Sequence, residues 1–587
     1  MTQSRLATVS ARLILAGVVA WHAAGLAAAQ RPSSSTPPAA ARDWPLTRPE
    51  ATHYTETSRY EDVVAFMQAM AAASPLIHLT TYGYTFEGRP MPLAVIGAPD
   101  ATPEAVRATG KTRVFIQGNI HAGEVEGKEA ALWLLRSIAK GERADWLQDV
   151  VLLITPIYNA DGNERVNLRN RGSQNGPVGG MGQRHNAQDL DLNRDATKLE
   201  SPEARSLARL LTQYDPHVAI DLHTTNGSDH GYYLTYEAPD NPNTSPGVTS
   251  LLRNDLLPSV TRAVKARHGW DFFYYGGAST RQGERAWFGD VDLYKPRYTH
   301  TYFGIRNRLG ILSETYSYAT FEDRIKADYW FLEEIVNFAA KNGDAIRKVT
   351  AAADAESIIG TPQSVRGKLV RLPQPVQAVL ADVVDEPNPY VPDRPMRRRV
   401  DGSERLETMP HYGLIEPTET SLAPRAYVLP AVVSAPAPPT AGATGMPSRP
   451  VLSPAARVMA SVIDRLDAHG ITYFKTSREM TLAAERFKIE SSRQEEREYQ
   501  GTHKLRELTG SWEPTDQIVP AGSLVVPMDQ PLARLAFILF DARSDDGLMA
   551  WNILDPVLAA TPAPVFYPVL RTMETVARPL TRAPQER

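Results

Sequence analysis

Short, almost wholly apolar runs alternate with amphipathic stretches through the first 350 or so residues, and this alternation limits the fold more than any other feature. "TRVFIQG" (112–118), "VVLLITPIYN" (150–159), "HVAIDLH" (217–223) and "RLGILSET" (308–315) lack the polar alternation of a half-exposed strand. Strands buried on both faces read this way. Between them lie helix-like stretches. "EGKEAALWLLRSIAKG" stops at Gly141, "SPEARSLARLLTQY" has Ser201 as a cap with Pro202 at the first position, and "DRIKADYWFLEEIVNFAAKNG" ends at Gly343. Upstream, "YEDVVAFMQAMAAAS" has helical spacing, and "LIHLTTYGYTFEGRPMPLAVIG" reads as two strands around a Glu-Gly turn. The expected fold is α/β, a mixed or parallel central sheet with helices on both faces, ending near Thr350.

The pattern then changes. Residues of about 360 to 435 are strand-like and Pro-rich, and "SAPAPPTAGATGMPSRP" is a low-complexity loop. "VMASVIDRLDAHGI" reads as a helix, while "SLVVPM" and "ARLAFILF" read as strands. A smaller C-terminal α+β or β-rich module is expected over 351–577, with its Pro-rich loop at 434–450 and a tail at 578–587. Trp512 and Trp551 could line a sugar or peptide groove, but core packing and docking onto the preceding domain is the simpler role.

At the start, Arg5 and Arg12 precede an apolar run that ends in Ala27-Ala28-Ala29, the pattern of a secretory signal over 1–29. A Pro/Ser-rich linker, 30–54, follows. No later segment is apolar for long enough to span a bilayer, so export without stable membrane insertion is expected. The formal net charge of -4 gives no basic field for nucleic acid. With no cysteine in the chain, thiolate chemistry is excluded, and any metal must use His, Asp or Glu.

Three apolar strands finish in side chains able to do chemistry. His121 and Glu124 lie just beyond "TRVFIQG", His223 closes "HVAIDLH", and Glu314 stands at the end of "RLGILSET". Ligands of open α/β sheets bind beyond the carboxyl ends of strands, so these groups should reach one edge. Two His and one Glu form a known ligand set for catalytic zinc. Glu314 reads as a general base beside it. Each piece alone is ordinary: a His-x-x-Glu pair is usually a solvated helix start, and a terminal Glu a loop contact. In "LDLNRD", Asn193 and Arg194 could grip a carboxylate, since the guanidinium fork matches it in two parallel hydrogen bonds. The bland reading is a turn with an exposed ion pair.

Taken together, "GNIHAGEVEG", "YNADGNE", Asn193-Arg194, His223 and Glu314 resemble the zinc metallocarboxypeptidase family, the carboxypeptidase A-like enzymes, over roughly residues 55 to 345 of an expected catalytic domain at 55–350. The resemblance implies one zinc held by His121, Glu124 and His223. It implies Glu314 as general base and later proton donor, and Asn193 and Arg194 as holders of the substrate's C-terminal carboxylate. It also implies Asp191 as the carboxylate that fixes the first zinc histidine. Arg169 or Arg171 would stabilise the oxyanion, with Arg171 favoured. The expected substrate is a peptide or peptide-like molecule with a free C-terminus.

The family's mobile tyrosine does not align cleanly. Tyr294, Tyr298 and Tyr302 all stand in the right stretch, and Tyr302 is the expected substrate contact. His300 in the same stretch reads as a solvated loop residue, and His185, His217 and His230 as spare imidazoles, with His217 at the far end of its strand. Two alternatives remain: a zinc deacylase, amidase or cell-wall peptide-trimming enzyme on the same fold, and a non-catalytic binding protein. The presence of both histidines, Glu124 and Glu314 argues against the second.

Overall fold

The computed structural model describes residues 43–388, 391–431, 453–558 and 565–578. The expected signal, the linker up to residue 42, the Pro-rich loop 434–450 and the tail beyond Arg578 lie outside the described residues. The described residues from Pro45 onward belong to one compact unit, and Asp43 and Trp44 lie outside it. The end of the expected linker is ordered. Arg48–Ala51 is a short helix whose Glu50 takes two hydrogen bonds from Arg136.

The central sheet is built from β1 (Ile77–Tyr84), β2 (Pro90–Ile96), β3 (Thr112–Gly118), β4 (Val150–Thr155), β5 (Val218–Thr224), β6 (Leu234–Glu237) and β7 (Phe272–Tyr274). After the hairpin β8 (Gly277–Arg281) and β9 (Glu284–Phe288), β10 (Leu309–Thr315) completes it. The order is β1-β2-β4-β3-β5-β10-β6-β7. The four strands β4, β3, β5 and β10 are parallel, and antiparallel neighbours flank them on both sides. The sheet is therefore mixed, one of the two forms expected from the continuous apolar runs, which fall in its parallel centre. Side chains of a strand alternate between faces. Phe115 and Ala219 join one apolar cluster with Leu207, Leu211 and Phe303, from the helices Pro202–Tyr214 and Thr299–Ile305. On the opposite face the helix Glu126–Ala139 lies so close that a Cβ on Gly127 would overlap that of Leu222.

C-terminal to the helix Gly343–Ala355 the chain becomes β-rich. β11 (Pro362–Arg371), β12 (Val376–Leu380), β13 (Val383–Glu386), β14 (Met396–Arg399), β15 (Arg405–Met409) and β16 (His411–Leu422) form small sheets, in one of which β16 pairs with β9. β17 (Ala426–Leu429), β18 (Phe474–Lys475), β19 (Met480–Gln494), β20 (Arg506–Val519), β21 (Leu524–Pro527) and β22 (Leu570–Thr572) form a six-stranded sheet, ordered β18-β21-β17-β22-β19-β20. The largest apolar cluster draws on both sides of residue 350, from Phe115 and Tyr302 to Leu466 and Phe537. One expectation fails locally. "ARLAFILF" is not a strand but the helix Ala533–Phe540, buried at every position. An element buried all round shows no amphipathic period, so sequence cannot separate the two.

Candidate metal centre

The turn after β3 brings His121 and Glu124 onto one side. The Glu124 N–H donates to the His121 carbonyl at 2.9 Å. The Asn119 side-chain amide donates to the carbonyls of Ala122 and Glu124 at 3.3 and 3.4 Å and pins the loop from inside. His223 arrives from the end of β5. Its Nδ1 lies 2.8 Å from one oxygen of Glu124, the His121 Nδ1 lies 2.9 Å from the other, and the two Nδ1 atoms are 3.2 Å apart. All three side chains are buried. One ligand atom from each falls within 4.8 Å of the others.

The outer nitrogens decide what this cluster can do. His121 Nε2 sits 3.0 Å from Asp191, and His223 Nε2 sits 3.0 Å from Asp221. An Nε2–H given to a carboxylate leaves the Nδ1 lone pair facing inwards. Two lone pairs and a carboxylate aimed at one point repel one another unless a metal ion or a proton lies between them. Two nitrogens and a carboxylate, with a further position open, suit zinc. Asp221 was not foreseen, although a carboxylate two residues before His223 in an apolar strand shares its face. Burial would raise the Glu124 carboxyl, but His121 and Arg171 outweigh it and hold it well below the usual range. Burial would likewise depress the charged form of His223, and Asp221 and Glu124 overcome this and raise it well above an ordinary histidine.

Glu314 stands directly opposite His223 in the β5–β10 register. Register partners in a parallel pair point to the same face. Its Oε2 is buried and has no hydrogen-bond partner among the described residues. Burial, then the charge of Glu124, pushes its carboxyl up to about 8 against the opposing pull of His223 and Arg171.

Of the two candidate oxyanion arginines, Arg171 reaches the cluster and Arg169 does not. Arg171 Nη2 lies 2.9 Å from Glu124 and donates to the Thr224 carbonyl at 3.1 Å, while its Nε donates to Gln174 at 2.6 Å. Its backbone is in the left-handed region, φ 52°, an uncommon conformation for a side-chain-bearing residue. Arg169 is exposed and paired with Asp393. Asn193 Nδ2 is 3.4 Å from His223 Nε2, and its Oδ1 accepts from the Thr299 N–H. Arg194 lies under the ring of Tyr298, its guanidinium carbon 3.9 Å from the centroid. Arg184, also unforeseen, donates to Asp191 at 2.9 Å.

Tyr302 is a correction. It is buried in the core, and its hydroxyl contacts His469 Nδ1 at 2.7 Å and accepts from Arg306 at 3.2 Å. It sits on the helix Thr299–Ile305, whose every residue is buried. Tyr294 is also turned away, towards Asp545. Tyr298 is the tyrosine of the three that reaches Arg194. His300 is likewise buried rather than solvated. His217 lies at the opposite end of β5, where its Nδ1 accepts from the Arg113 N–H.

The family model for zinc carboxypeptidases matches residues 63–228. The chain carries a zinc carboxypeptidase domain. This zinc carboxypeptidase match contains His121, Glu124, Asp191, Asn193, Arg194 and His223, while Glu314 lies beyond it. Zinc is the metal of the family, and the donors described above fit it. Carboxypeptidase 2 of Trichophyton tonsurans is 23% identical over 542 residues, 87% of this chain and 86% of that protein. A probable carboxypeptidase 2 of Arthroderma benhamiae is 26% identical over 236 residues, 38% of this chain. The alignments span 42% of that protein and 28% of carboxypeptidase 2 of Trichophyton rubrum. Among solved structures, a metallo-carboxypeptidase from Burkholderia cenocepacia aligns with 49% of this chain and 70% of its own, at 18% identity and a TM-score of 0.37. Among the described residues, no helix is long and apolar enough to cross a membrane.

Proposed function

We propose that this protein is an exported zinc-dependent metallocarboxypeptidase that releases the C-terminal residue of peptides. The observation that carries the reading is the convergence of His121, Glu124 and His223 within 4.8 Å, each imidazole backed by a carboxylate. Export rests on the charged, then apolar, then small-residue order of the first 29 residues.

His121, Glu124 and His223 would hold the metal. Zinc bound there supplies Lewis acidity to a scissile carbonyl and makes water a better nucleophile at neutral pH. Glu314, whose buried Oε2 has no partner among the described residues and which stands beside His223, takes the proton of the attacking water and then hands it to the departing amine. The raised affinity of its carboxyl for a proton suits the second half of that task, and a nearby divalent cation would draw it down for the first. Arg171 is the donor for the developing oxyanion. It borders the cluster, and its Nη2–H groups are within reach of Glu124 and the Thr224 carbonyl. Arg194 binds the substrate's terminal carboxylate and places the penultimate carbonyl in register, with Asn193 beside it.

The test is turnover of paired peptides that differ only in a free or amidated C-terminus, with chelator and with zinc restored. Release of the last residue from the free acids, abolished by chelator and recovered with zinc, is expected. Equal cleavage of the amides would overturn the role of Arg194 and favour the deacylase or amidase alternative.

A further inference from the structure

The hairpin β19–β20 belongs to the β-rich C-terminal region, yet its tip, residues 495–505, lies against the cluster just described. Tyr499 Oη accepts a hydrogen bond from Arg194 Nε at 2.9 Å. The next residue, Gln500, has a left-handed φ of 52° and accepts from the Asp191 N–H at 2.9 Å. Asp191 is the carboxylate on His121, so both contacts fall on site residues. The tip is braced from behind. The Tyr499 ring stacks on the buried Trp551, centroids 6.0 Å apart, and Trp551 Nε1 donates to Asp546 at 2.8 Å. Asp546 also accepts from Arg297 Nε at 2.9 Å. His503 holds the other flank through Glu200 at 2.6 Å.

These contacts account for most of the Arg194 guanidinium. Its face is covered by Tyr298, its Nε by Tyr499, and its Nη1 donates to the Asn193 carbonyl at 2.7 Å. Among the described residues Nη2 has no hydrogen-bond partner, which leaves one edge of the fork for an incoming carboxylate. A flexible arginine becomes a directed one when its Nε–H is fixed, because rotation of the fork about the last torsions then costs a hydrogen bond.

We propose that Tyr499 is a positioning residue for Arg194, and that the hairpin tip is the wall against which the free C-terminus of a peptide is read. The inference rests on the reading of Arg194 as the carboxylate clamp. Removing the hydroxyl loosens the clamp without touching the reacting bond, so substrate binding weakens while the chemical step is spared.

The experiment uses the full chain with Tyr499→Phe, Arg194→Ala and the double variant, assayed on free-acid and amidated peptide pairs. Tyr499→Phe keeps the ring and its stack on Trp551, so its melting temperature should stay within about 2 °C of the parent. KM for the free acid should rise about ten-fold with kcat within about two-fold, and the preference for acid over amide should fall by the same factor. The double variant should match Arg194→Ala. If Arg194→Ala keeps the parent's acid preference, the clamp reading itself fails. If Arg194→Ala loses that preference while Tyr499→Phe keeps it, the hairpin proposal alone is overturned. It is also overturned if Tyr499→Phe weakens the double variant further by its full single-variant factor, since the two residues would then act independently.

Discussion

At the scale of single residues, His223 and Glu314 share one register position, and the proposed function gives the first to the metal and the second to the proton. Glu314→Gln is isosteric and leaves His121, Glu124 and His223 in place. It should bind one zinc by metal analysis yet lose about 10²- to 10⁴-fold in kcat. Asp221 makes the opposite case. Asp221→Asn weakens the acceptor on His223 Nε2, and zinc affinity by chelator competition should fall about 10- to 100-fold. A third residue links pH to stability away from the metal. Glu203, in the first turn of the helix Pro202–Tyr214, is buried and accepts from the Phe86 N–H and from Asn186. Burial pushes its carboxyl up to about 7 from 4.5. The folded state therefore binds this proton more tightly than the unfolded one. Its contribution is complete below about pH 4.5 and is lost as pH rises through about 7, on the order of 1–3 kcal/mol. Urea midpoints of Glu203→Gln should show a flatter pH dependence across that window than the parent.

Elements show why His121, Glu124 and His223 meet at all. Gly118 closes β3 and Gly127 opens the helix Glu126–Ala139, and both lie where backbone and Leu222 leave no room for a Cβ. That close approach brings the helix start, with Glu124 before it, beside the end of β5, with His223 on it. Gly127→Ala should force them apart, destabilise the fold by about 1–3 kcal/mol and weaken zinc binding together with it. A melt and a chelator titration would read both. The strands β3, β5 and β10 were legible in the sequence because each is buried on both faces and so appears as an unbroken apolar run. The ends of those runs singled out His121, Glu124, His223 and Glu314, of which the first three converge and the last stands in register with His223. The same property misled at "ARLAFILF", where complete burial erased the helical period. Tyr302 was misplaced for a related reason. Three tyrosines stand close together in the sequence, yet Tyr302 lies inside the buried helix Thr299–Ile305 while Tyr298, the residue just before it, faces Arg194.

Across the whole molecule, Pro45–Arg587 behaves in its contacts as one body. β16 pairs with β9, and Tyr302 and Arg306 bond to His469 of the helix Pro454–His469. Calorimetry should accordingly give a single transition with matching van't Hoff and calorimetric enthalpies, and two resolved peaks would contradict it. The contribution of Tyr499 and Gln500 to the site had no signature in the sequence. Some three hundred residues separate them from Arg194 and Asp191, and hairpin tips carry no periodic pattern. The two strands that carry this tip run Met480–Gln494 and Arg506–Val519. A β-ribbon advances about 3.3 Å per residue, so deleting two residue pairs would retract the tip by roughly 7 Å along its axis. With the tip as the proposed wall, strand length in a remote sheet becomes a dial on how far a peptide's tail can protrude, adjustable without altering a single atom that touches the scissile bond.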